Sequence, residues 1–283
     1  MRRLRSPFRP RAAVLALSAA LALSVTACSG GDGTAEEAKS AGPAVTPPPV
    51  RTGFDYQLGG AYTPPKGVEV VARDHTASPA SGLYNICYVN AFQAQPDAAD
   101  EWDSDLLLRD EDGEIVMDDD WGEAMLDIST AAKRERIAEK VDGWIDSCAS
   151  KGFDAVEPDN YDTYTRAPEG LLSAGDAEAF LKLLAGHAHD EGLAIGQKNT
   201  PQLAKDREEV GLDFAVAEEC GRYEECDAYV DAFGDDVLVI EYDEKGLKAA
   251  CAGWGEEISI VRRDLDVLPA GRAGHVRETC DDV

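Results

Sequence analysis

The sequence predicts an α/β fold, a single (β/α)8 barrel that occupies residues 53–283. This segment holds about 230 residues, a length suited to one large domain with a sizeable core. Apolar runs of strand length alternate along it with helical or helix-length segments. Polar residues cluster just after these runs, on the face where barrel enzymes assemble their sites. A doubly wound open sheet would also bring ligands to strand ends, but it needs fewer strands.

Eight apolar runs are the predicted strands, because they are short, apolar and bounded by polar residues or glycine. In chain order they are Phe54–Leu58, Val68–Ala72, Tyr84–Asn90, a central run that starts at Phe153, Leu193–Gln197, Asp213–Cys220, Val237–Glu241 and Glu257–Val261.

Between the third and the central strand, residues 105–117 predict a hairpin that turns at an Asp-Gly pair. Ser129 is the predicted cap of a long amphipathic helix that ends at Gly152. Ser173 opens a second helix that continues to Gly192. These segments supply the connections between strands that a barrel requires.

The central strand opens into an acidic stretch, KGFDAVEPDNYDTY, over residues 151–164. Glu157 and Asp159 are two apart on the strand, so their side chains should project to the same face. Acids held this close raise one another's pKa, which gives a site one protonated and one ionised carboxyl group. The alternative interpretation is a solvated acidic loop, since the whole chain is acidic.

Two carboxylates on different strand ends are the minimum apparatus for cleaving a glycosidic bond. Asp159 and Glu218 are the predicted catalytic pair, although Glu219 competes with its neighbour for that role. Lys198 either tunes their pKa and donates to a substrate hydroxyl, or simply pairs with Glu157 inside the protein.

Other polar and aromatic residues at strand ends are predicted to contact substrate. They are Asp55, Tyr56, Asp74, Tyr88, Asn160, Lys198, Asn199, Glu241 and Tyr242. Glu241 is either a third acid of the site or a structural hydrogen-bond acceptor. Tyr56, Tyr88, Tyr161 and Tyr242 would offer flat faces to sugar rings, and the alternative for each is a place in the core or at the rim.

Several other chemistries are excluded by missing signals. His187 and His189 precede the fifth strand, at the wrong end of a barrel for catalysis. No strand is followed by a glycine-rich nucleotide fingerprint or a GxSxG turn. No CxxC pair or His-rich spacing indicates a metal site. We therefore expect no cofactor and no metal.

Residues 1–27 read as a secretory signal peptide, with five arginines followed by the apolar run Ala12–Ala27. The segment Val25–Cys28 resembles the lipobox of bacterial lipoproteins, so we expect Cys28 to be lipidated; an ordinary signal peptide with a coincidental Cys is the alternative. Residues 28–52 then form a flexible, proline-rich linker. The predicted location is outside the cytoplasm, with the lipid as the sole attachment to the membrane.

The chain carries a formal net charge of -28, and removal of residues 1–27 takes away five arginines and no acid, which leaves about -33. This charge argues against nucleic acid and anionic membrane surfaces as partners. It is compatible with a cationic substrate, and it also keeps a secreted protein soluble. We expect a monomer.

Six cysteines remain once Cys28 is assigned to the lipid, and an even number in an exported chain predicts three disulfides. Their connectivity is ambiguous in principle. Cys220 with Cys226 closes a small loop, and Cys251 with Cys280 ties down the C-terminal segment, which leaves Cys87 with Cys148.

Five ordered sequence blocks resemble the endo-α-1,4-polygalactosaminidase family of TIM-barrel glycoside hydrolases. They are FDYQLGG, GFDAVEPDNYD, HDEGLAIGQKN, DFAVAEECGRYEEC and VLVIEY. The resemblance implies a secreted or surface-attached enzyme that cuts α-1,4-linked galactosamine polymers in endo fashion. Partly deacetylated polymers of this kind are cationic, so a strongly negative cleft would attract them.

The same resemblance implies that Asp159 and Glu218 are the catalytic carboxylates, with Asn160, Lys198-Asn199 and Glu241-Tyr242 at matching positions. The chain departs from the family pattern at Ala217 and Glu219, where the family has Asn and Gln. A rival hypothesis from another class is a surface lipoprotein that binds polysaccharide, or feeds a transporter, without cleaving it.

Overall fold

The structure is a computed structural model that describes residues 44–283. The predicted signal peptide, Cys28 and most of the linker lie outside these residues. Residues 44–52 were expected to belong to the linker, but they pack on the barrel: Val45 contacts the barrel core, Pro48 is buried, and the Thr46 carbonyl accepts a hydrogen bond from the Tyr84 hydroxyl at 2.7 Å. The folded unit therefore begins before residue 53.

Residues 44–283 form twelve strands and seven α-helices. The strands are β1 (Gly53–Tyr56), β2 (Val68–Asp74), β3 (Tyr84–Asn90), β4 (Gln93–Ala94), β5 (Met117–Asp118), β6 (Glu123–Met125), β7 (Ala155–Asp159), β8 (Ala194–Lys198), β9 (Phe214–Glu218), β10 (Val237–Glu241), β11 (Ser259–Arg263) and β12 (Arg277–Glu278). The helices are α1 (Ala131–Lys151), α2 (Thr163–Arg166), α3 (Ala174–Asp190), α4 (Arg207–Val210), α5 (Cys220–Tyr223), α6 (Cys226–Phe233) and α7 (Glu244–Trp254).

Eight parallel strands form the barrel, in the sequential order β1-β2-β3-β7-β8-β9-β10-β11, and β12 adds antiparallel to β11. Apolar side chains fill the interior in the alternating pattern of a strand, as with Phe54 and Tyr56 of β1. The opposite faces of β3 and of β7 to β11 pack against helices, which explains why these strands are almost continuously apolar. The predicted eight-stranded barrel is confirmed.

The first two connections of the barrel contain no α-helix. Residues 57–67 and 75–83 cross in irregular structure. Gly59-Gly60 and Pro64-Pro65 interrupt the first connection, and the second is only nine residues long, so neither can form a stable helix. The remaining connections are helical, as the sequence predicts.

Helix caps follow the predicted chemistry with one shift. Helix α1 is capped by Thr130 rather than Ser129, because the Thr130 hydroxyl accepts from the Lys133 N–H while Ser129 bonds to Asp127. It ends at Gly152, whose φ of 87° is a left-handed conformation that glycine adopts without steric cost. Helix α3 starts at the predicted Ser173 with a reciprocal capping box to Asp176.

The hairpin predicted over residues 105–117 forms part of an excursion between β3 and α1. A three-stranded antiparallel sheet, in the order β4-β6-β5, stands at its centre. The turn lies at Gly113, whose N–H donates to the Asp110 carbonyl at 3.1 Å. This excursion rises beside the carboxyl end of the barrel and supplies part of the cleft described below.

In the part of the chain that the structure describes, three disulfides join Cys87 to Cys148, Cys220 to Cys226 and Cys251 to Cys280, the pairs that the sequence predicts. The first ties β3 to α1, and the second closes the short loop around α5. Within residues 44–283, none of the helices is both long and apolar enough to cross a lipid bilayer.

The barrel closes at a seam between β1 and β11, which lie side by side. Asp55 is fully buried there and accepts from the Tyr62 hydroxyl at 2.9 Å and from the Gln57 amide at 2.8 Å. Two arginines balance its charge: Arg277 at 3.3 Å and Arg263 at 3.7 Å. Arg277 also donates to the Phe54 carbonyl at 2.9 Å, so β12 is linked directly to β1.

Candidate active site

A cleft of about 650 Å³ opens at the carboxyl ends of the barrel strands. Seven carboxylates line it, against two basic side chains, Lys198 and Arg166. The carboxylates are Glu123, Asp159, Asp162, Glu218, Glu219, Glu225 and Asp266. The cleft is therefore strongly negative, and its position is the one where barrel enzymes bind their substrates.

Lys198 stands at the floor of the cleft and is almost fully buried. Its ammonium nitrogen lies 3.0 Å from Glu157 Oε1, 3.1 Å from Asp159 Oδ1 and 3.5 Å from Glu218 Oε2. Although burial by itself lowers the pKa of Lys198, the surrounding carboxylates raise that pKa well above its usual value. Lys198, at the end of β8, is therefore a buried cation that contacts carboxylates of the two neighbouring strands, β7 and β9.

Asp159 ends β7, and both of its carboxylate oxygens are bonded. The Tyr88 hydroxyl donates to Oδ2 at 2.7 Å, and Lys198 donates to Oδ1 at 3.1 Å. Burial alone would raise the pKa of Asp159, but the charge of Lys198 and the hydrogen bonds from Tyr88 and the Asn160 N–H outweigh it and lower that pKa. Asp159 is therefore ionised at neutral pH.

Glu218 ends β9, and two side chains donate hydrogen bonds to its carboxylate. The Tyr242 hydroxyl donates to Oε1, and the Asn199 amide donates to Oε2 at 2.9 Å. The Asn199 side chain also accepts from the Glu218 backbone N–H at 2.8 Å, which fixes the orientation of its amide. These bonds orient the carboxylate toward the same cleft as Asp159.

The separation of the two carboxylates is bounded by the lysine that they share. Because Asp159 Oδ1 and Glu218 Oε2 lie 3.1 and 3.5 Å from the same nitrogen, these two oxygens are at most about 6.6 Å apart. Retaining glycosidases place their carboxyl groups about 5–5.5 Å apart and inverting enzymes about 6.5–9.5 Å apart. For these two oxygens the bound includes the retaining spacing and reaches only the lower edge of the inverting range.

The residue that follows the strand has a left-handed backbone conformation at three of the strand ends. Asn160, Asn199 and Glu219 follow β7, β8 and β9 and have φ values of 67°, 52° and 57°. Asn tolerates this left-handed region better than most residues, but Glu does not. Such conformations collect at functional sites because the surrounding fold holds them in place.

Glu157 lies two residues before Asp159, on the same face of β7, and is fully buried. Burial, opposed by Lys198 and reinforced by the charge of Asp159, raises the pKa of Glu157 to about 7. The Tyr56 hydroxyl donates to Glu157 at 2.7 Å and accepts from Lys198 at 3.0 Å. Glu157 thus forms the internal ion pair with Lys198, while Lys198 also reaches both predicted catalytic carboxylates.

Most of the predicted substrate contacts do line the cleft. They are Tyr56, Tyr88, Asn160, Lys198, Asn199 and Tyr242, together with the predicted catalytic pair. Tyr56 is 1% exposed and acts from the floor through its hydroxyl rather than as a stacking surface. Tyr161 is buried against Phe92 and offers no face to a sugar.

Three residues predicted to contact substrate lie outside the cleft. Asp55 belongs to the seam between β1 and β11, where Arg263 and Arg277 balance its charge. Asp74 accepts from the Thr76 N–H at 2.9 Å and stabilises a turn. Glu241 is fully buried and accepts from the Gly221 N–H at 2.7 Å, so it is a structural acceptor.

Side-chain alternation explains two of these outcomes. Phe54 and Tyr56 face the barrel interior, so Asp55 has the opposite parity along β1. Glu241 lies between Ile240 and Tyr242, which contact the interior core, and it has the opposite parity in the same way. Asp159, Glu218 and Lys198 all have interior parity.

Several residues that line the cleft were not predicted from the sequence. Glu123, on the small sheet, accepts from the Asn90 amide at 2.8 Å, and burial raises its pKa to about 7. Arg166 donates to Asn160 at 2.8 Å and pairs with Asp118 at 3.0 Å. Neither follows a barrel strand directly, so the rule of looking at strand ends does not find them.

Two exposed aromatic side chains stand at the cleft, Trp121 at 57% exposure and Tyr223 at 62%. Trp121 belongs to the excursion after β3, and Tyr223 ends α5 after β9, so they occupy different sectors of the mouth. Exposed aromatic faces of this kind bind sugar rings by stacking.

His187 and His189 lie at the opposite end of the barrel, as expected. His187 contacts Asp146 at 2.6 Å, and His189 contacts Asp213 at 2.8 Å. Asp146, His187 and Glu191 are close enough together to share an ion, but Asp146 and Glu191 are exposed on the surface and none of the three lines the cleft.

The family model of glycoside hydrolase family GH114 matches residues 34–283. The chain belongs to this family. The match confirms the resemblance inferred from the five sequence blocks. The acidic cleft is therefore the candidate active site of a member of a glycoside hydrolase family. A search of the curated proteins by sequence finds no match.

Among solved structures, the GH114 chain is similar to Ega3 from Aspergillus fumigatus in complex with galactosamine. The TM-score is 0.68 at 26% identity, over 84% of this chain and 98% of that chain. It is also similar in fold to the glycoside hydrolase domain of PelA from Pseudomonas aeruginosa, with a TM-score of 0.54 at 15% identity, over 78% of this chain and 98% of that chain.

Proposed function

We propose that the protein is an endo-acting glycosidase of α-1,4-linked galactosamine polysaccharide, with Asp159 as nucleophile and Glu218 as general acid and base. The observation that carries the proposal is the shared contact of both carboxylates with Lys198 at the floor of an acidic cleft. The likeness to Ega3, solved with galactosamine, supports the choice of sugar.

The mechanism that this geometry supports is a double displacement. Glu218 protonates the glycosidic oxygen while an oxygen of Asp159 attacks C1, which breaks the glycosidic bond and forms a glycosyl ester. Glu218 then takes a proton from water, and the water oxygen attacks C1 and releases Asp159. The lowered pKa of Asp159 suits a nucleophile that must be ionised at neutral pH.

An endo mode is supported by the shape and chemistry of the cleft. It is open, and exposed aromatic residues stand in different sectors of its mouth. Sugar units on both sides of the cleaved bond can therefore be bound at once. The excess of carboxylates attracts a polymer that carries ammonium groups.

The decisive experiment counts reducing ends released from α-1,4-galactosamine polymer by the purified protein, by Asp159→Asn and by Glu218→Gln. Each variant is expected to lose about a hundredfold or more of the activity, because removing an acid, base or nucleophile costs at least this much. NMR of the first product is expected to show the α anomer. Retention of polymer without new reducing ends would instead favour a binding lipoprotein.

We also propose that the protein is anchored outside the cytoplasm through lipidated Cys28. The basic and apolar segments of residues 1–27 and the lipobox-like sequence before Cys28 support this. We expect the wild-type protein to incorporate labelled fatty acid and to partition into detergent, and Cys28→Ala to do neither. Labelling of Cys28→Ala would contradict the assignment, and Cys251→Ala serves as a control that should still be labelled.

A further inference from the structure

The carboxylates of the cleft differ in whether the protein itself satisfies them. Asp159 and Glu218 are held by Lys198 and by tyrosine hydroxyls. Asp162 pairs with Arg166 at 2.9 Å, and Glu123 accepts from Asn90. These four acids already have internal donors, so a ligand must compete for them.

Glu219 is different. Within residues 44–283, no side chain and no backbone N–H donates to its carboxylate, although the residue is half-buried and lines the cleft directly beside Glu218. Burial, together with the charges of Glu218 and Asp243, raises the pKa of Glu219, and the charge of Arg222, which pairs with Asp243 at 2.7 Å, opposes this shift only in part. Two other acids of the cleft, Glu225 and Asp266, also have no donor among the described residues, but both are exposed at the rim.

The backbone of Glu219 is fixed on both sides. Its N–H donates to the Ile240 carbonyl at 2.8 Å, and its carbonyl accepts from the Tyr223 N–H at 2.9 Å. The next residue, Cys220, is bonded to Cys226, which closes the loop around α5. The carboxylate is therefore presented to the cleft from a rigid support, in a left-handed conformation that Glu rarely adopts.

A free carboxylate that is partly removed from water gains most from a cationic partner. We propose that Glu219 binds the ammonium group of an amino sugar in the subsite next to the cleaved bond, and thereby selects free amines over N-acetylated sugars there. This inference rests on the proposed function, since it assigns a substrate group to the same cleft. A neutral acetamido group offers one weaker donor and more bulk than an ammonium group.

The test compares two substrates, α-1,4-linked galactosamine hexamers as free amines and as fully N-acetylated molecules, with the purified full chain and with Glu219→Gln. The readout is the ratio of kcat/KM for the two hexamers. We expect Glu219→Gln to lower the preference for free amines by about 10- to 100-fold, the worth of a charged hydrogen bond. Unchanged preference in Glu219→Gln would overturn the inference.

Glu224→Gln is the matched control. Glu224 flanks the same short helix α5 and has a φ of 62°, and its substitution removes one negative charge as Glu219→Gln does. Unlike Glu219, it is exposed and does not line the cleft. We expect its preference to equal that of the wild type. An equal loss in Glu224→Gln would show that only the overall charge of this region matters, which contradicts a contact by Glu219.

Failure of the proposed hydrolysis is distinguishable from failure of this inference. If neither hexamer is cleaved by the wild type, the ratio of their dissociation constants replaces the kinetic ratio. A preference for free amines that Glu219→Gln loses would still support the contact. Equal affinities for both hexamers, or a preference that survives in Glu219→Gln, would overturn it.

Discussion

Single residues determine the chemistry of the cleft through one cation. Lys198 contacts Glu157, Asp159 and Glu218 within 3.5 Å, so a change at this position acts on three acids at once. A buried cation with several anionic partners stabilises their ionised forms. The lysine therefore sets the pH range in which the proposed nucleophile works.

Replacing Lys198 with Met is expected to move the acidic limb of the pH profile of kcat/KM to higher pH. Lys198 is the main group that lowers the pKa of Asp159, so its loss raises that pKa. Loss of an adjacent opposite charge shifts a carboxyl pKa by about 1 to 3 units. The measurement is kcat/KM from pH 3 to 8, with near-UV circular dichroism to verify folding.

Tyr88→Phe provides a milder version of the same experiment. It removes the 2.7 Å hydrogen bond to Asp159 Oδ2 but leaves the lysine in place. The acidic limb should move in the same direction and by less, because the charge of Lys198 lowers the pKa of Asp159 more than the tyrosine hydroxyl does. A limb that stays fixed in both variants would show that Asp159 does not govern it.

The sequence predicts the cleft residues well where they end a barrel strand and have interior parity. Asp159, Lys198 and Glu218 meet both conditions. Glu241 ends β10 but has the opposite parity, and Asp55 lies inside β1 with the opposite parity, so counting from Ile240 and Phe54 would have separated both from the cleft residues. Glu123 meets neither, since it arrives on a three-residue strand of the excursion, whose position depends on tertiary packing that no local pattern records.

At the scale of elements, the buried acid Glu241 connects helix α5 to the barrel, and the free energy that its burial costs depends on pH. Glu241 at the end of β10 accepts from the N–H of Gly221 in α5, and its other oxygen has no donor. It lies against Gly246 of α7, where an added Cβ would be 2.0 Å from the carboxylate. Burial raises the pKa of Glu241 to about 7.

Stability should therefore fall as the pH rises from about 4.5 to about 7, because in this window the unfolded chain releases the Glu241 proton and the folded chain retains it. Glu241→Gln cannot titrate. We expect its loss of unfolding free energy between pH 5 and pH 8 to be smaller than that of the wild type by on the order of 2 kcal/mol.

Urea unfolding at both pH values measures this difference, and a constant cost of the amide cancels in the comparison. Glu244→Gln is the control, since Glu244 is exposed at the start of the adjacent helix α7. Parallel pH dependences of Glu241→Gln and the wild type would show that Glu241 titrates normally.

The disulfides differ in the length of chain that they close. Cys87–Cys148 spans 61 residues and Cys220–Cys226 spans 6, while all four cysteines are buried to a similar degree. A cross-link restricts the unfolded chain more when its loop is longer. Replacing each pair with Ala is expected to cost about 4 and about 2 kcal/mol of unfolding free energy. Urea unfolding checks the order, and a larger loss from the short loop would contradict it.

For the whole molecule, the barrel architecture follows from the sequence because eight apolar runs give eight strands in sequential order. The two helix-free connections were not predicted individually, although glycine and proline pairs interrupt residues 57–67 and residues 75–83 are too few for a stable helix. Packing of residues 44–52 on the barrel was also missed. A proline-rich segment has the composition of a linker whether or not it finds a surface to contact.

The closing seam has a consequence for how the chain is made. Arg277 of β12 pairs with Asp55 and donates to the Phe54 carbonyl of β1, 223 residues earlier in the chain. Synthesis proceeds from the N-terminus, so β1 is made long before β11 and β12, which carry the two arginines that balance its buried acid. A chain that stops before β12 leaves Asp55 with Arg263 alone and the seam without its antiparallel strand. Such a shortened chain is expected to unfold more readily and to be cleaved faster by proteases.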